Sequence, residues 1–473
     1  MLAPHTHLSR GGGVVSLLLL VLSLLALLGA AGCSSLPRFV PDLARPGPSS
    51  VRMAGAQGPL SAAQSRVVLA RLAAKGQPTD IFARHLALEE AIVGSPLTTG
   101  NAVTLLQDGP ATYTAMFAAI AGARDHINME TYILDDDEVG DRFAQALLAK
   151  QRVGVQVNLI RDSAGTYATP VAFFECLSAA GIQVLEFNPI NPLTARDDWA
   201  WNQRDHRKLL IVDGRVAFLG GINISSVYSG GSFRHRKLRP GDAAPPWRDT
   251  DLRLQGPVVA ELQKLFITAW REQQGPELAP RNYFPEPEPA GKQVVRAIGS
   301  SPGETVSLMY TTLLSAIGSA ETSVHITNAY FVPDPQLLDT LQAAARRGVD
   351  VQLILPSRTD SWLVFNAGRG YYDRLLVAGV KIAERRGVIL HSKTALVDGV
   401  WGTVGSTNLD WRSFLHNHEL DAVVLGAEFG AQLQAMFDRD LAASDPVTLQ
   451  DWRNRPLQLR VKELFARLWA YWL

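Results

Sequence analysis

One pattern is written twice in this chain and limits its fold more than any other feature. His206-Arg207-Lys208 is followed by Asp213, and His391-Ser392-Lys393 by Asp398. Both read HxKxxxxD, with the runs Leu209-Leu210-Ile211-Val212 and Thr394-Ala395-Leu396-Val397 before the aspartate. Both continue through a glycine-containing tail to an asparagine, in Gly220-Gly221-Ile222-Asn223 and Gly405-Ser406-Thr407-Asn408. With only ten histidines among 473 residues, two copies with matching tails argue for an internal repeat. A doubled histidine-lysine-asparagine set implies one site assembled from two halves and acting on phosphate.

The repeat extends beyond the motifs. Ala119 to Ala123 parallels Ala316 to Ala320 at a helix end, and a strand follows in each half, closing on Glu130 to Ile133 and Asn328 to Phe331. Amphipathic helices then stop at Gly154 and Gly348, ahead of Val/Leu/Ile-rich strands from Val155 and Val349. Such alternation predicts α/β architecture: two similar α/β sandwich domains with the active site at their interface. The expected units are 101–275 and 292–446, separated by the Pro-rich stretch 276–291. A tether and helices occupy 34–100, the tether extended and mobile from Ser34 to Pro59 and the helices running from Ser61 to Gly76 and from Thr79 to Gly94. A tail, 447–473, follows the second unit.

Composition narrows the function. The chain is 47% hydrophobic and 19% charged, as a globular protein is, and 45 basic residues balance 45 acidic ones. No basic excess points to nucleic acid. Two cysteines, Cys33 and Cys176, cannot build a disulfide framework or a multi-cysteine metal site. Cys176, in Phe173-Phe174-Glu175-Cys176-Leu177, reads as a buried small hydrophobe. The first 33 residues read as an export signal: Val14 to Ala31 is almost wholly apolar and ends in Ala30-Ala31-Gly32-Cys33. That ending resembles a bacterial lipobox with Cys33 as the lipidated residue; the alternative is an uncleaved membrane anchor. Either places the body of the protein at a membrane, outside the cytoplasm.

The motif residues suit phosphoryl chemistry. Alternation along a strand sends His206 and Lys208 to one face, and likewise His391 and Lys393. The lysines offer fixed cations to phosphate oxygens, and Asn223 and Asn408 offer neutral amide donors. One histidine can attack phosphorus while the other protonates the leaving alkoxide and then activates the next nucleophile. No metal or other cofactor is required, since lysine and asparagine can neutralise the developing charge. An attacking histidine needs an acceptor on its other ring nitrogen. Aligning the halves at Gly256 and Gly426 sets Asp249 opposite Glu419 and Asp251 opposite Asp421. Asp249 and Glu419 are the candidate orienting carboxylates, with a surface salt bridge as the plainer alternative. Asp213 and Asp398 complete the catalytic motif, yet each precedes a glycine at a strand end and so is expected to fix a turn.

From about Ala102 to Ala443 the chain resembles the phospholipase D superfamily, whose HxKxxxxD motif occurs in both copies. Within it, the chain is most similar to bacterial cardiolipin synthases. The resemblance is carried by Glu130-Thr131-Tyr132, His206 to Asn223, Asn328 to Asp334, Gly405 to Phe414, Asn417 and Glu419. It implies transphosphatidylation. His206 would take the phosphatidyl group from one phosphatidylglycerol through a phosphohistidine and release glycerol. His391 would protonate that glycerol and activate a second lipid, giving cardiolipin. The alternative is hydrolysis of phospholipid to phosphatidate. Membrane phospholipid is the implied partner, and two motifs in one chain allow a monomer to act. Many such synthases begin with two transmembrane helices, whereas this chain has one exported apolar segment.

Two further stretches bear on membranes. The tail spaces Leu464, Phe465, Leu468, Trp469 and Trp472 on one helical face among basic residues, suiting either a lipid boundary or packing on the second domain. The run Arg234 to Arg239 suits anionic lipid or a solvated loop.

Overall fold

A computed structural model describes residues 51–76, 79, 81–191, 200, 202–231, 245–302 and 307–473. Cys33, the apolar start, the tether up to residue 50 and the basic run 234–239 lie outside the described residues.

The repeat in sequence is a repeat in topology. In the first half the strand order is Gln183–Phe187, Gln156–Asp162, His126–Thr131, Leu209–Val212, Val216–Gly220, Thr250–Gln255 and Leu97–Gln107. In the second it is Lys381–Arg385, Asp350–Pro356, Ser323–Asn328, Lys393–Val397, Trp401–Gly405, Asn417–Leu425 and Gln293–Ser300. In each half the first three strands are parallel and the rest antiparallel. The last strands of the two halves pair with each other, Leu97–Gln107 against Gln293–Ser300, so the sheets join edge to edge. A core shared by both halves lies under this junction and includes Leu252 and Leu254 of the first with Val295, Ala422 and Val424 of the second. The fold is the expected α/β one.

Local signals explain the elements. Asp137 caps the helix Glu138–Arg152 by accepting the N–H groups of Val139 and Gly140. Asp334 does the same for Pro335–Arg346, where proline occupies the first turn without losing a needed hydrogen bond. Ser61 caps Ala62–Ala73 with Gln64 completing the reciprocal pair. The next helical stretch runs from Ile81 to Ile92.

Two expectations need correction. The end of the tether is not free: Met53–Gly55 pairs with Gly58–Pro59 and with the start of Leu97–Gln107. Val51 and Met53 are buried there, and that apolar burial outweighs the Gly/Pro-rich composition. Cys176 is exposed. The short helix Val171–Ala179 turns only Phe174 and Leu177 fully inward, leaving its cysteine on the outer side.

Candidate active site

Each motif is inserted into the opposite half. Arg204–Asp205, just ahead of His206, pairs in parallel with Asn417–His418, just ahead of Glu419. Ile389–Leu390, just ahead of His391, pairs in parallel with Trp247–Arg248, just ahead of Asp249. The ladders continue with His206 N–H donating to His418 C=O at 3.0 Å and His391 N–H to Arg248 C=O at 2.8 Å. The histidines therefore sit in extended segments leading into Leu209–Val212 and Lys393–Val397, not within those strands.

This crossing brings the carboxylates to the histidines. His206 Nδ1 lies 3.0 and 3.1 Å from the two oxygens of Glu419. His391 Nδ1 lies 2.7 Å from Asp249 Oδ2. An ionised carboxylate only accepts, so each Nδ1 carries the proton and each Nε2 keeps its lone pair. Glu419 also accepts from Ser406 Oγ at 2.5 Å and Asn417 Nδ2 at 3.2 Å. Asp249 Oδ1 accepts the Thr250 N–H at 2.8 Å. The residue matching Ser406 is Gly221, where a Cβ would stand 2.2 Å from Asp249 Oδ1, so the first half has no room for a side chain there.

The lysines close the site. Lys208 Nζ donates to His206 C=O and lies 5.1 Å from the centre of the Tyr132 ring. Lys393 Nζ donates to His391 C=O and lies 2.9 Å from His391 Nδ1. Burial pushes the Lys208 ammonium down to about 7, with Lys393 adding to the shift and Glu419 opposing it. Burial lowers Lys393 too, against the pull of Asp249 and Glu419. The imidazole of His206 is pushed down to about 4 by burial and by both lysines, with Glu419 opposing. Burial and Lys393 lower His391 as well, and Lys208 contributes. Each histidine thus feels the lysine of the other half, as expected of groups sharing one pocket. Burial works against the charge on Glu419, but His206, Lys208 and Ser406 together hold it below the usual carboxylate range.

The remaining motif residues are placed differently. Asn223 Oδ1 accepts the Ile133 N–H at 3.1 Å, and its Nδ2 donates to Tyr228 Oη at 3.0 Å. Tyr228 Oη lies 3.4 Å from His391 Nδ1, so Asn223 is linked to the site through a tyrosine. Asn408 is buried, its N–H donates to Ser413 Oγ at 3.2 Å, and its Oδ1 has no partner. Asp213 and Asp398 face away from the histidines. Asp213 accepts the N–H groups of Arg124, Asp125 and His126. Asp398 accepts those of Glu321, Thr322 and Ser323, and the Thr79 hydroxyl. Both have positive φ, 53° and 50°, ahead of glycines that share the left-handed conformation, which makes them hairpin residues. Asp213 and Asp398, expected to complete the catalytic motif, instead fix turns in the fold.

Several neighbours were not singled out from sequence. Tyr132 meets His206 edge-on at 5.1 Å, and Trp247, Tyr228 and Tyr330 surround His391 at 5.1, 5.9 and 6.2 Å. Arg207, between the motif histidine and lysine, is buried, donates to Glu419 C=O at 3.2 Å and lies 3.6 Å from Glu130. Burial and the nearby Glu130 raise Asp205 well above the usual range. Asp421 is pushed up to about 7 by burial, with Glu419 adding and a Thr407 hydrogen bond opposing. Tyr132 lies one residue past His126–Thr131 and Tyr330 two past Ser323–Asn328, so the two rings reach their histidines from positions that the repeat does not match. Among the described residues no group of three or more His, Cys, Asp or Glu side chains could hold a metal ion.

Two repeated α/β halves with a histidine-lysine pair from each define a phospholipase D-like protein. A family model described as cardiolipin synthase, PLD-like domain, matches residues 116–229 and 313–441, which include both motifs. The chain is 33% identical over 386 residues to a cardiolipin synthase of Geobacillus kaustophilus, covering 81% of this chain and 74% of that one. It is 35% identical over 384 residues to cardiolipin synthase A of Pseudomonas putida, covering 78% and 76%. Its fold is similar to that of a phosphatidylserine synthase from Haemophilus influenzae, with a TM-score of 0.57 at 12% identity over 81% of this chain and 99% of that one. The chain belongs to the cardiolipin synthase-like family of the phospholipase D superfamily.

Proposed function

We propose that the chain is a phosphatidyltransferase that condenses two phosphatidylglycerol molecules into cardiolipin and glycerol. The observation that carries this is the crossed pairing of His206 with Glu419 and of His391 with Asp249. His206, chosen as nucleophile by family resemblance, attacks phosphorus through Nε2. A P–N bond forms as the P–O bond to glycerol breaks, and His391 gives its proton to the departing oxygen. The negative phosphodiester offsets the lysines that hold His391 down, so His391 can carry that proton. The hydroxyl of a second phosphatidylglycerol then returns a proton to His391, attacks phosphorus and frees His206. Lys208, Lys393, Asn223 and Asn408 are suited to hold the phosphate oxygens. In this reading one chain supplies the whole site, and the N-terminal segment keeps it at a membrane outside the cytoplasm, through Cys33 or as an uncleaved anchor.

Lipid mass spectrometry on purified protein given phosphatidylglycerol tests the reaction. Cardiolipin and free glycerol are the expected products. Phosphatidate without cardiolipin would identify a hydrolase instead. Under acid quench, a stable phosphoryl adduct is not expected, since P–N bonds are acid-labile, so the intermediate is sought at alkaline pH on His206.

A further inference from the structure

The helix Leu457–Arg467 carries its apolar residues on the wrong side for a helix facing water. Surface helices turn an apolar stripe inward and polar residues outward. Here the buried positions are Glu463 and Ala466, with Glu463 paired to Arg455 at 2.5 Å. Leu457, Val461, Leu464, Phe465 and Leu468 are 72%, 58%, 64%, 51% and 74% exposed. At about 100° per residue they fall within one outward arc of roughly 100°. Arg460 and Arg467 border that arc on one side and Lys462 on the other. Over residues 449–473 five basic residues accompany only two acidic ones.

The face is rigidly tied to the site. Ala466 is buried with Val332, Val364 and Ala367, against Tyr330 and Leu363. Trp362, at the start of the neighbouring helix Trp362–Arg369, is also exposed. Tyr330, in the same cluster, is 6.2 Å from His391. The apolar face and the histidine seam are thus linked by packed side chains.

We propose that this face docks on an anionic phospholipid bilayer, the helix lying flat in the headgroup layer. A helix of 11 residues is about 16 Å long, too short to cross a bilayer but suited to its surface. Basic residues on both borders of an apolar arc match a surface with phosphates above acyl chains. Such docking holds the site at the level of lipid headgroups.

The test uses the full chain with Phe465→p-benzoylphenylalanine, reconstituted with vesicles of phosphatidylglycerol and phosphatidylcholine. Irradiation is expected to give lipid adducts at position 465, and few at the exposed first-half position in Tyr167→p-benzoylphenylalanine. Adducts are expected to diminish on vesicles of phosphatidylcholine alone. Crosslinks to a second copy of the chain, or no lipid adduct at 465, would overturn the proposal. This readout needs no turnover, so it stands apart from the reaction proposed above. As a second measurement, Leu464→Glu with Leu468→Glu is expected to slow turnover of vesicle phosphatidylglycerol by roughly tenfold or more, through lost apolar burial. Turnover of dispersed short-chain phosphatidylglycerol should stay unchanged; an equal loss on both substrates counts against docking.

Discussion

Glu419, on a strand of the second half, lies 3.0 Å from Nδ1 of His206 in the first. Asp249 returns the arrangement to His391 at 2.7 Å, so neither half holds a complete histidine-carboxylate pair alone. The carboxylate fixes the tautomer and stabilises positive charge on the ring. Glu419→Gln keeps the size and a hydrogen-bonding group but removes the charge. It is expected to lower kcat by about 10²–10⁴-fold, the range for neutralising such a partner. Turnover of phosphatidylglycerol, with circular dichroism to establish folding, checks this. A change confined to KM would contradict an orienting role.

Asp398 makes the opposite prediction. Its carboxylate accepts N–H groups from Thr322 at 2.8 Å and from Glu321 and Ser323 at 3.0 Å, together with the Thr79 hydroxyl. Asp398→Ala leaves those donors unpaired and is expected to cost on the order of 3 kcal/mol of stability. Because the residue faces away from the histidines, kcat of the folded fraction should fall by less than about threefold. Thermal melting and kcat, measured on the same preparation, separate the two effects.

The sequence carried much of this site because the halves repeat their strand register. Glycines 256 and 426 end equivalent strands, so equal offsets from them reach Asp249 and Glu419. What alignment within a half could not supply is the crossing, since it orders residues along each half and says nothing across the seam. Environment was harder to read than position. Cys176 lies on a short helix apolar on most sides, where composition does not reveal which side faces in. Trp469 and Trp472 were expected on the same face as Leu464, but the helix ends at Arg467 and a tight turn, Ala470–Trp472, redirects them. The turn role of Asp213 and Asp398 was legible from the Asp-Gly pair, because few residues adopt positive φ readily.

Gly221 and Ser406 hold equivalent places behind carboxylates of different length. A Cβ at Gly221 would come within 2.2 Å of Asp249 Oδ1, so Gly221→Ala must displace the partner of His391. A misplaced orienting group is expected to lower kcat by about 10–10²-fold. Ser406→Ala removes one donor to Glu419 without a clash and should cost about tenfold or less. Steady-state kinetics on both variants should reproduce that ranking, and a reversed order would contradict the packing argument.

The buried Lys208 sets the alkaline side of substrate binding. Its ammonium titrates at about 7, so in the free enzyme it loses its proton as pH rises through neutrality. A phosphodiester is bound best by the charged form, so KM is expected to rise above about pH 7. Bound phosphate pulls the lysine back up, so kcat should fall less over the same range. His206 titrates at about 4 and is already neutral well below that limb, so the attacking nitrogen is available throughout. The profile of kcat/KM should therefore climb near pH 4 as His206 loses its proton, and its alkaline decline combines Lys208 with the general acid His391, which burial and Lys393 hold below its ordinary value. Glu419 pulls Lys208 upward, so Glu419→Gln should move the alkaline limb to lower pH as well as reduce the rate. A limb that stays in place in that variant would assign it to a group other than Lys208.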